Sequence, residues 1–245
     1  MKTTILPLVR AMMIEAIRRR DLAVVALFMS LLFAFLLAAR WVGLETPASG
    51  TFLLNLSLTL VIGTAHLITV LVAARQFPEE IEQRTLYPLL ARPVSRHHVV
   101  LGKWLASSLT GIGLLLLLTV PVLVIVPRLE FYDQRTLAQL LLLQLPALTT
   151  SAAVPIACSL LLPRSMATTL SLVIVFATNL LLRAGGGLRW FALLPNPSRL
   201  NLIVRYTDGI APLSGTEWAA LWLAGVLWTL AALLISMQRF ARRVV

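Results

Sequence analysis

Charged residues are scarce in this chain, and cysteine is almost absent. Of its 245 residues, 13% are charged and only 10 are Asp or Glu, whereas 59% are hydrophobic and the mean hydropathy is +0.90. A soluble globular domain carries about 25% charged residues, so the composition excludes a soluble globule and indicates an integral membrane protein. The single cysteine, Cys158, excludes a disulfide framework and a Cys/His zinc motif.

Motifs that bind nucleotides or perform catalysis are also missing. Gly102-Lys103 is followed by Trp104 and has no upstream glycine at the spacing of a P-loop, so ATP would have to bind to another chain. No acidic residue lies deep in an apolar run, although an intramembrane enzyme needs paired acids or a nucleophile with its base. The adjacent His97 and His98 cannot face one site on a helix, so no metal site is predicted.

Six apolar stretches are long enough to cross a bilayer, which takes about 20 residues. They lie near 22–40, 51–74, 99–126, 136–161, 166–184 and 217–237. Membrane helices tolerate proline because neighbouring groups satisfy the freed carbonyls. The third and fourth stretches are therefore predicted as helices despite Pro121, Pro146 and Pro155. The expected fold is a single-domain, all-α integral membrane protein with six transmembrane helices.

The net charge of +11 predicts the orientation of these spans. Most Lys and Arg residues lie near the two termini and in the 75–103 region, beside apolar stretches. The positive-inside rule therefore places both termini and this region in the cytoplasm. Basic residues in these positions indicate an interaction with the bilayer, and no nucleic-acid partner is predicted.

Two further segments have patterns of their own. Residues 3–20 carry apolar residues at helical spacing among basic ones, which predicts an amphipathic helix at the membrane interface, with a frayed basic leader as the alternative. Residues 185–216 are too apolar for a free loop and too interrupted for a span. A re-entrant or interfacial pair of short extracytoplasmic helices before the last span is therefore predicted.

A dense polar loop, residues 75–98, separates the second and third spans. Pro78 favours a helix start, and the following acids would complement the positive end of the helix dipole. These acids are Glu79, Glu80 and Glu82. The pattern predicts a short amphipathic helix from Pro78 to about residue 87, and Pro93 ends whatever helix remains. The alternative is an ordinary interfacial loop whose charges face solvent.

Polar side chains within the spans are candidates for a substrate path. Asn55, His66 and Asn179 are the residues chosen, because ionisable and amide groups inside a membrane are often functional. The alternative for each is a hydrogen bond to a neighbouring helix, and Gln144 is expected to make one. A secondary transporter is disfavoured, since neither an inverted repeat nor a midplane acid is evident.

The polar loop resembles the cytoplasmic loop of ABC-2-type transporter permeases. The matching residues are Glu80-x-x-x-Arg84-Thr85-Leu86-Tyr87-x-Leu89-Leu90-Ala91-Arg92-Pro93-Val94-Ser95-Arg96 and then Leu101-Gly102-Lys103. The motif covers residues 79–103, and the order of the spans and the other segments extends the resemblance to the whole chain. Among these permeases, the chain is most similar to the branch that includes the permease of the nitrous-oxide reductase copper-site maturation system.

The resemblance implies a coupling helix that docks into a cytoplasmic ATPase. The implied coupling residues are Glu79, Glu80, Glu82, Arg84, Thr85, Leu86, Tyr87, Leu89, Leu90, Arg92, Pro93, Ser95 and Arg96. It further implies an exporter in a bacterial-type cytoplasmic membrane, built from two permeases, identical or similar, and two ATPase subunits that bind ATP and Mg. The chain itself would hold no cofactor and catalyse nothing. The alternatives are an intramembrane enzyme and an ATP-independent scaffold or assembly subunit.

Overall fold

The structure is a computed structural model, and every regular element in its described part is helical. It describes residues 27–28, 30–31, 33–35, 37–38, 47–82, 96–125, 134–178, 195–207 and 210–242. The helices are α1 (Pro47–Glu82), α2 (Arg96–Ile125), α3 (Gln134–Leu161), α4 (Arg164–Leu172), α5 (Ile203–Thr207) and α6 (Gly215–Arg242). A π-helical turn, Val173–Ala177, follows α4, and a 3-10 turn, Pro197–Leu200, precedes α5.

Four of these helices, α1, α2, α3 and α6, are long and apolar enough to cross a membrane. They confirm that the stretches predicted at 51–74, 99–126, 136–161 and 217–237 are helical. Three of the helices reach or pass both predicted ends, and α2 ends one residue short of its predicted end. The shorter apolar helix Arg164–Ala177 occupies the first part of the predicted span at 166–184. Most of the span at 22–40 and all of the segment at 3–20 lie outside the described residues, so six spans stay a prediction.

The polar loop begins differently from the prediction. The sequence predicts a helix start at Pro78, but α1 runs without interruption from Pro47 through Pro78 to Glu82. The predicted start is therefore wrong, and the three acids belong to the last turn of a long helix. Residues 83–95 lie outside the described part of the chain. The reason for the error is that contacts with other helices, described below, outweigh the cost of about 3 kcal/mol for an interior proline.

Two apolar clusters form the core, one toward each end of the bundle. The first lies toward Pro47 and joins α1, α2 and α3 to the 200–206 segment, with Leu58, Leu115 and Leu148 fully or almost fully buried. The second lies toward Glu82 and joins α1, α2, α3, α4 and α6 around Phe77. We call these two ends of the molecule the Pro47 end and the Glu82 end.

Between the clusters, four helices contribute small polar side chains to a buried polar layer. Along each helix these residues fall after the last member of one cluster and before the first member of the other. The layer consists of His66, Thr69, Ser107, Ser108, Thr150, Ser151 and Thr229, each at most 6% exposed. Many of the hydroxyls donate to the carbonyl four residues earlier in their own helix, as helical Ser and Thr commonly do.

The segment before α6 packs into the Pro47 end. Leu200, Ile203 and Tyr206 are buried in the first cluster. Farther along, the side chain of Gln139 donates to the carbonyl of Leu213 (3.1 Å) and accepts from its amide (2.9 Å), which fixes the approach to α6. Two short helical pieces are thus present within the segment predicted as re-entrant, whereas residues 185–194 lie outside the described ranges.

Two glycines lie where neighbouring helices leave no room for a side chain. A Cβ on Gly225 of α6 would lie 2.8 Å from the Cβ of Pro146, and one on Gly111 of α2 would lie 2.1 Å from Oγ1 of Thr69. Both distances are far shorter than atoms tolerate. The bundle therefore depends on the missing side chain at each position, as membrane helix pairs often do.

We predict that Gly111→Ala destabilises the packing of α1 against α2, because the new methyl group would overlap Thr69, whose hydroxyl bonds the carbonyl of Ala65. Overpacking of this kind costs about 1–3 kcal/mol. The apparent unfolding temperature of the detergent-purified protein measures the effect. Gly113→Ala on the same helix is the matched control, since its Cβ would have no neighbour within 4 Å.

A second variant identifies the cause. Adding Thr69→Ala to Gly111→Ala removes the overlapping atoms, so the double variant should regain most of the lost stability. Equal unfolding temperatures for Gly111→Ala and Gly113→Ala would contradict the crossing described here.

Candidate functional site

The Glu82 end is built around a buried ammonium group, that of Lys103 in α2. Its side chain is 0% exposed, and Nζ lies 2.5 Å from Oε2 of Glu80 in α1. Nζ also donates to the carbonyl of Gln76 at 3.1 Å. Lysine is almost never fully buried unless it is paired, so this ion pair fixes the last turns of α1 to the first turns of α2.

Aromatic and polar contacts complete the surroundings of Lys103. The ammonium lies 4.1 Å from the ring centroid of Phe77, within the range of a cation–π interaction. Phe77 in turn packs against Phe240 near the end of α6, with ring centroids 5.2 Å apart. The amide of Gln76 donates to the hydroxyl of Ser107 at 2.8 Å. One buried charge thereby connects α1, α2 and α6.

The other two acids of this turn point toward α4. Oε1 of Glu79 lies 2.8 Å from a guanidinium nitrogen of Arg164, and Oε2 of Glu82 lies 4.0 Å from another. Arg164 is the first residue of α4, directly after the short link from α3. Since Arg164 and Glu82 are 43% and 63% exposed, these contacts are weaker than the Lys103 pair. They nevertheless place the α3–α4 link beside the end of α1.

The predicted coupling residues divide into two groups in the structure. Glu79, Glu80 and Glu82 come together in one turn, and Arg96 begins α2 on the other side of the loop. The others lie outside the described residues: Arg84, Thr85, Leu86, Tyr87, Leu89, Leu90, Arg92, Pro93 and Ser95. Their role in coupling stays a prediction. Glu80 differs from its neighbours, because its charge pairs with Lys103 inside the protein.

His66, about halfway along α1, forms a hydrogen-bonded bridge to α3. Its Nε2 lies 3.1 Å from Oε1 of Gln144, and its Nδ1 lies 2.8 Å from Oγ of Ser151. The amide nitrogen of Gln144 donates to the carbonyl of Leu200 at 3.4 Å, which turns the Gln144 oxygen toward the imidazole. Nε2 therefore carries the hydrogen and donates, while Nδ1 accepts from the Ser151 hydroxyl. The predicted alternative for His66, a hydrogen bond to a neighbouring helix, is confirmed.

Asn55, nearer the Pro47 end of α1, makes a second connection to the segment before α6. Its amide nitrogen donates to the hydroxyl of Thr207 in α5 at 3.3 Å, and its oxygen accepts from Thr59 at 3.2 Å. Asn179 lies outside the described residues. A substrate path along Asn55, His66 and Asn179 thus stays a prediction, and the two that are described act as hydrogen-bonding partners within the bundle.

Comparison with known protein families decides which family this bundle represents. The family model described as ABC-2 family transporter protein matches residues 16–179, about two thirds of the chain. The chain belongs to the ABC-2 transporter family. A search of curated proteins found none that matches it. The family and the four long apolar helices together make this ABC-2 protein a multi-pass membrane protein of the permease type.

Sequence reasoning missed two residues of the ABC-2 protein's Glu82 end. Lys103 entered the prediction only as part of the loop motif and of the basic 75–103 region, and Arg164 was not singled out at all. A signal for Lys103 does exist, because it stands inside an apolar run with Ser107 four residues later on the same helical face. The exposed Arg164 carries no comparable signal, since its pairing with Glu79 depends on how two distant helices meet.

We predict unequal costs for removing either partner of the Lys103–Glu80 pair. Glu80→Gln leaves a fully buried ammonium without its carboxylate, whereas Lys103→Met leaves a carboxylate that is 28% exposed and can be hydrated. Breaking a buried pair from one side costs about 3–5 kcal/mol, so Glu80→Gln should lower the apparent unfolding temperature more than Lys103→Met. Arg242→Met, an exposed change at the same end, is the control.

The double variant Glu80→Gln/Lys103→Met tests whether the two residues act together. Its loss should be smaller than the sum of the single losses, because no uncompensated buried charge remains. Strictly additive losses would show that the two side chains contribute independently and would contradict the pairing.

Proposed function

We propose that the chain is the permease subunit of an ATP-driven ABC-2 exporter and that a separate ATPase acts on its Glu82 end. The observation that carries the proposal is the construction of that end. Helix α1 continues to Glu82, directly before residues 83–95 of the polar loop. Lys103 and Arg164 hold its last turn to α2 and α4. A loop with so rigid a support suits a coupling element.

The charges support a cytoplasmic position for this end. Arg239 and Arg242 close the last turn of α6, and Lys103 and Arg164 lie at the same end. By the positive-inside rule, this excess of basic residues supports a cytoplasmic position for the Glu82 end, together with both termini, in a bacterial-type membrane. The Pro47 end and the 195–214 segment then face the outside.

The exposed part of the α1 terminus would receive the ATPase. Ile81 is 41% exposed and the Glu82 side chain 63% exposed, whereas Phe77 is completely buried. A partner that contacts Ile81, Glu82 and the loop after them would move α1 and α2 together, because the Lys103 pair joins the two helices on either side of the loop. Glu80, through its ion pair with the buried Lys103, would keep α1 and α2 together during this movement.

Membership of the family supports the rest of the proposed assembly. Two ATPase subunits, which bind ATP and Mg, would act on two permeases, identical or similar. Exposed apolar side chains on α6 include Leu223, Leu227, Leu230 and Leu234. They recur at helical spacing, as expected of a face toward lipid or a second permease.

Membership of the nitrous-oxide reductase maturation branch also stays a prediction, supported by the loop motif.

Purification from native membranes in mild detergent, followed by mass spectrometry, tests the proposal. We expect a soluble chain with a P-loop to co-elute at one copy per permease. A permease that elutes alone, even after crosslinking through cysteines placed at residues 81 and 82, would contradict it and favour the enzyme or scaffold alternatives.

We further predict that Glu82→Lys weakens the association with the ATPase several-fold, because it reverses an exposed charge at the docking surface. ATPase activity of the purified complex and the amount of co-eluting ATPase are the measurements. The control is Glu217→Lys, which makes the same charge change on an exposed residue at the Pro47 end; because Glu217 caps the first turn of α6 through Ser214, the unfolding temperature of both variants is measured as well. Equal effects of the two variants would show that net charge, and not docking, is responsible.

A further inference from the structure

Polar side chains of helix α1 bond other parts of the molecule at three well-separated levels along its length of 36 residues, about 54 Å. At one extreme, Glu80 is paired with Lys103. Halfway along, His66 bonds Gln144, which bonds the backbone of Leu200. Near the other extreme, Asn55 bonds Thr207. Two of these levels lead to the same place, the segment that precedes α6.

The connection from His66 through Gln144 ends on a backbone group, the carbonyl of Leu200. Gln144 is 1% exposed and Leu200 is 1% exposed, so the Leu200 carbonyl has little access to water. A buried carbonyl that loses its donor carries a cost of about 1–3 kcal/mol. The position of the 3-10 turn Pro197–Leu200 is therefore tied to the position of Gln144, and through His66 to that of α1.

We propose that the His66–Gln144–Leu200 chain of hydrogen bonds is a transmission link that makes the 197–207 segment follow the movement of α1. The inference rests on the proposed function, since the movement of α1 is attributed to the ATPase. When the Glu82 end is displaced, α1 carries His66 with it as a rigid rod. Gln144 must then move with the imidazole or lose its bond, and Leu200 responds in the same way.

The link consists of positioning residues and does not need contact with a substrate. Gln144 reaches both α1 and the Leu200 backbone through side-chain atoms, because its amide offers an acceptor to one side and a donor to the other. Ser151 also bonds His66 but lies farther along α3, toward the Glu82 end. Removing Ser151 leaves the chain to Leu200 intact, which makes it a suitable control.

The test measures how the 197–207 segment responds to ATP in the complex of the permease with its co-purified ATPase. The purified complex is reconstituted in lipid nanodiscs. In a Cys158→Ala background, Arg199→Cys places a reporter on an exposed residue next to Leu200. Its rate of reaction with a polar maleimide is compared in the absence of nucleotide and after trapping with ATP and vanadate. We expect the two rates to differ several-fold in this parent protein.

Gln144→Met, which keeps the length of the side chain and removes both hydrogen bonds, should bring the ratio of the two rates close to one. Ser151→Ala should keep the ratio of the parent. ATP hydrolysis is measured for every variant, so that loss of assembly is recognised separately from loss of the link. Gln144→Asn, which keeps the amide but shortens its reach, replaces Gln144→Met if that variant does not accumulate, and the same loss is expected.

The outcomes separate the two proposals. A Gln144 variant that hydrolyses ATP and keeps the parent ratio would overturn the link but not the proposed function. A parent protein with active ATPase and a ratio of one would do the same, because the segment would not respond to ATP at all. Absence of a co-purifying ATPase would overturn the proposed function, and this inference with it.

Discussion

The buried ammonium of Lys103 is the constraint on which the Glu82 end depends. An isolated charge in a low-dielectric interior costs several kcal/mol, so a carboxylate, a carbonyl and an aromatic face must all be brought to it. Glu80, Gln76 and Phe77 supply them from consecutive turns of α1. A helix that continues past Pro78 presents these three groups on neighbouring turns, and this favours the extension of α1 to Glu82.

In the middle of the bundle, close packing and hydrogen bonds between helices are the main stabilising interactions. In a membrane, helices gain little from burying apolar surface against each other, since lipid tails are equally apolar, and packing and hydrogen bonds decide the association. The polar layer between the two apolar clusters fits this rule. Thr150 of α3 lies 3.0 Å from both the hydroxyl of Thr229 and the carbonyl of Gly225 in α6, at the level where Gly225 permits close approach.

A feature of this fold could be predicted from the sequence where its signal is local, and could not where it depends on residues far apart in the chain. Four of the predicted spans are long apolar helices in the structure, because length and hydropathy are local properties that the bilayer requires. The helix start at Pro78 was wrong, because proline favours a first turn only where no distant contact competes, and Lys103 lies 25 residues away along the chain. The hydrogen bond of His66 was foreseen as an alternative, but its partners Gln144 and Ser151 depend on how α1 and α3 align.

The two kinds of contact along α1 differ in strength, and the difference suits the proposed function. An uncompensated buried charge costs about 3–5 kcal/mol when one partner of such a pair is lost, so separation of Lys103 from Glu80 is strongly opposed and the Glu82 end stays rigid. A hydrogen bond between membrane helices contributes only about 0.6–2 kcal/mol, so the bonds of Gln144 to His66 and Leu200 orient the 197–207 segment relative to α1 without making it rigid. A stiff end beside residues 83–95 and weaker directional bonds toward the 197–207 segment together suit a helix that moves that segment reversibly.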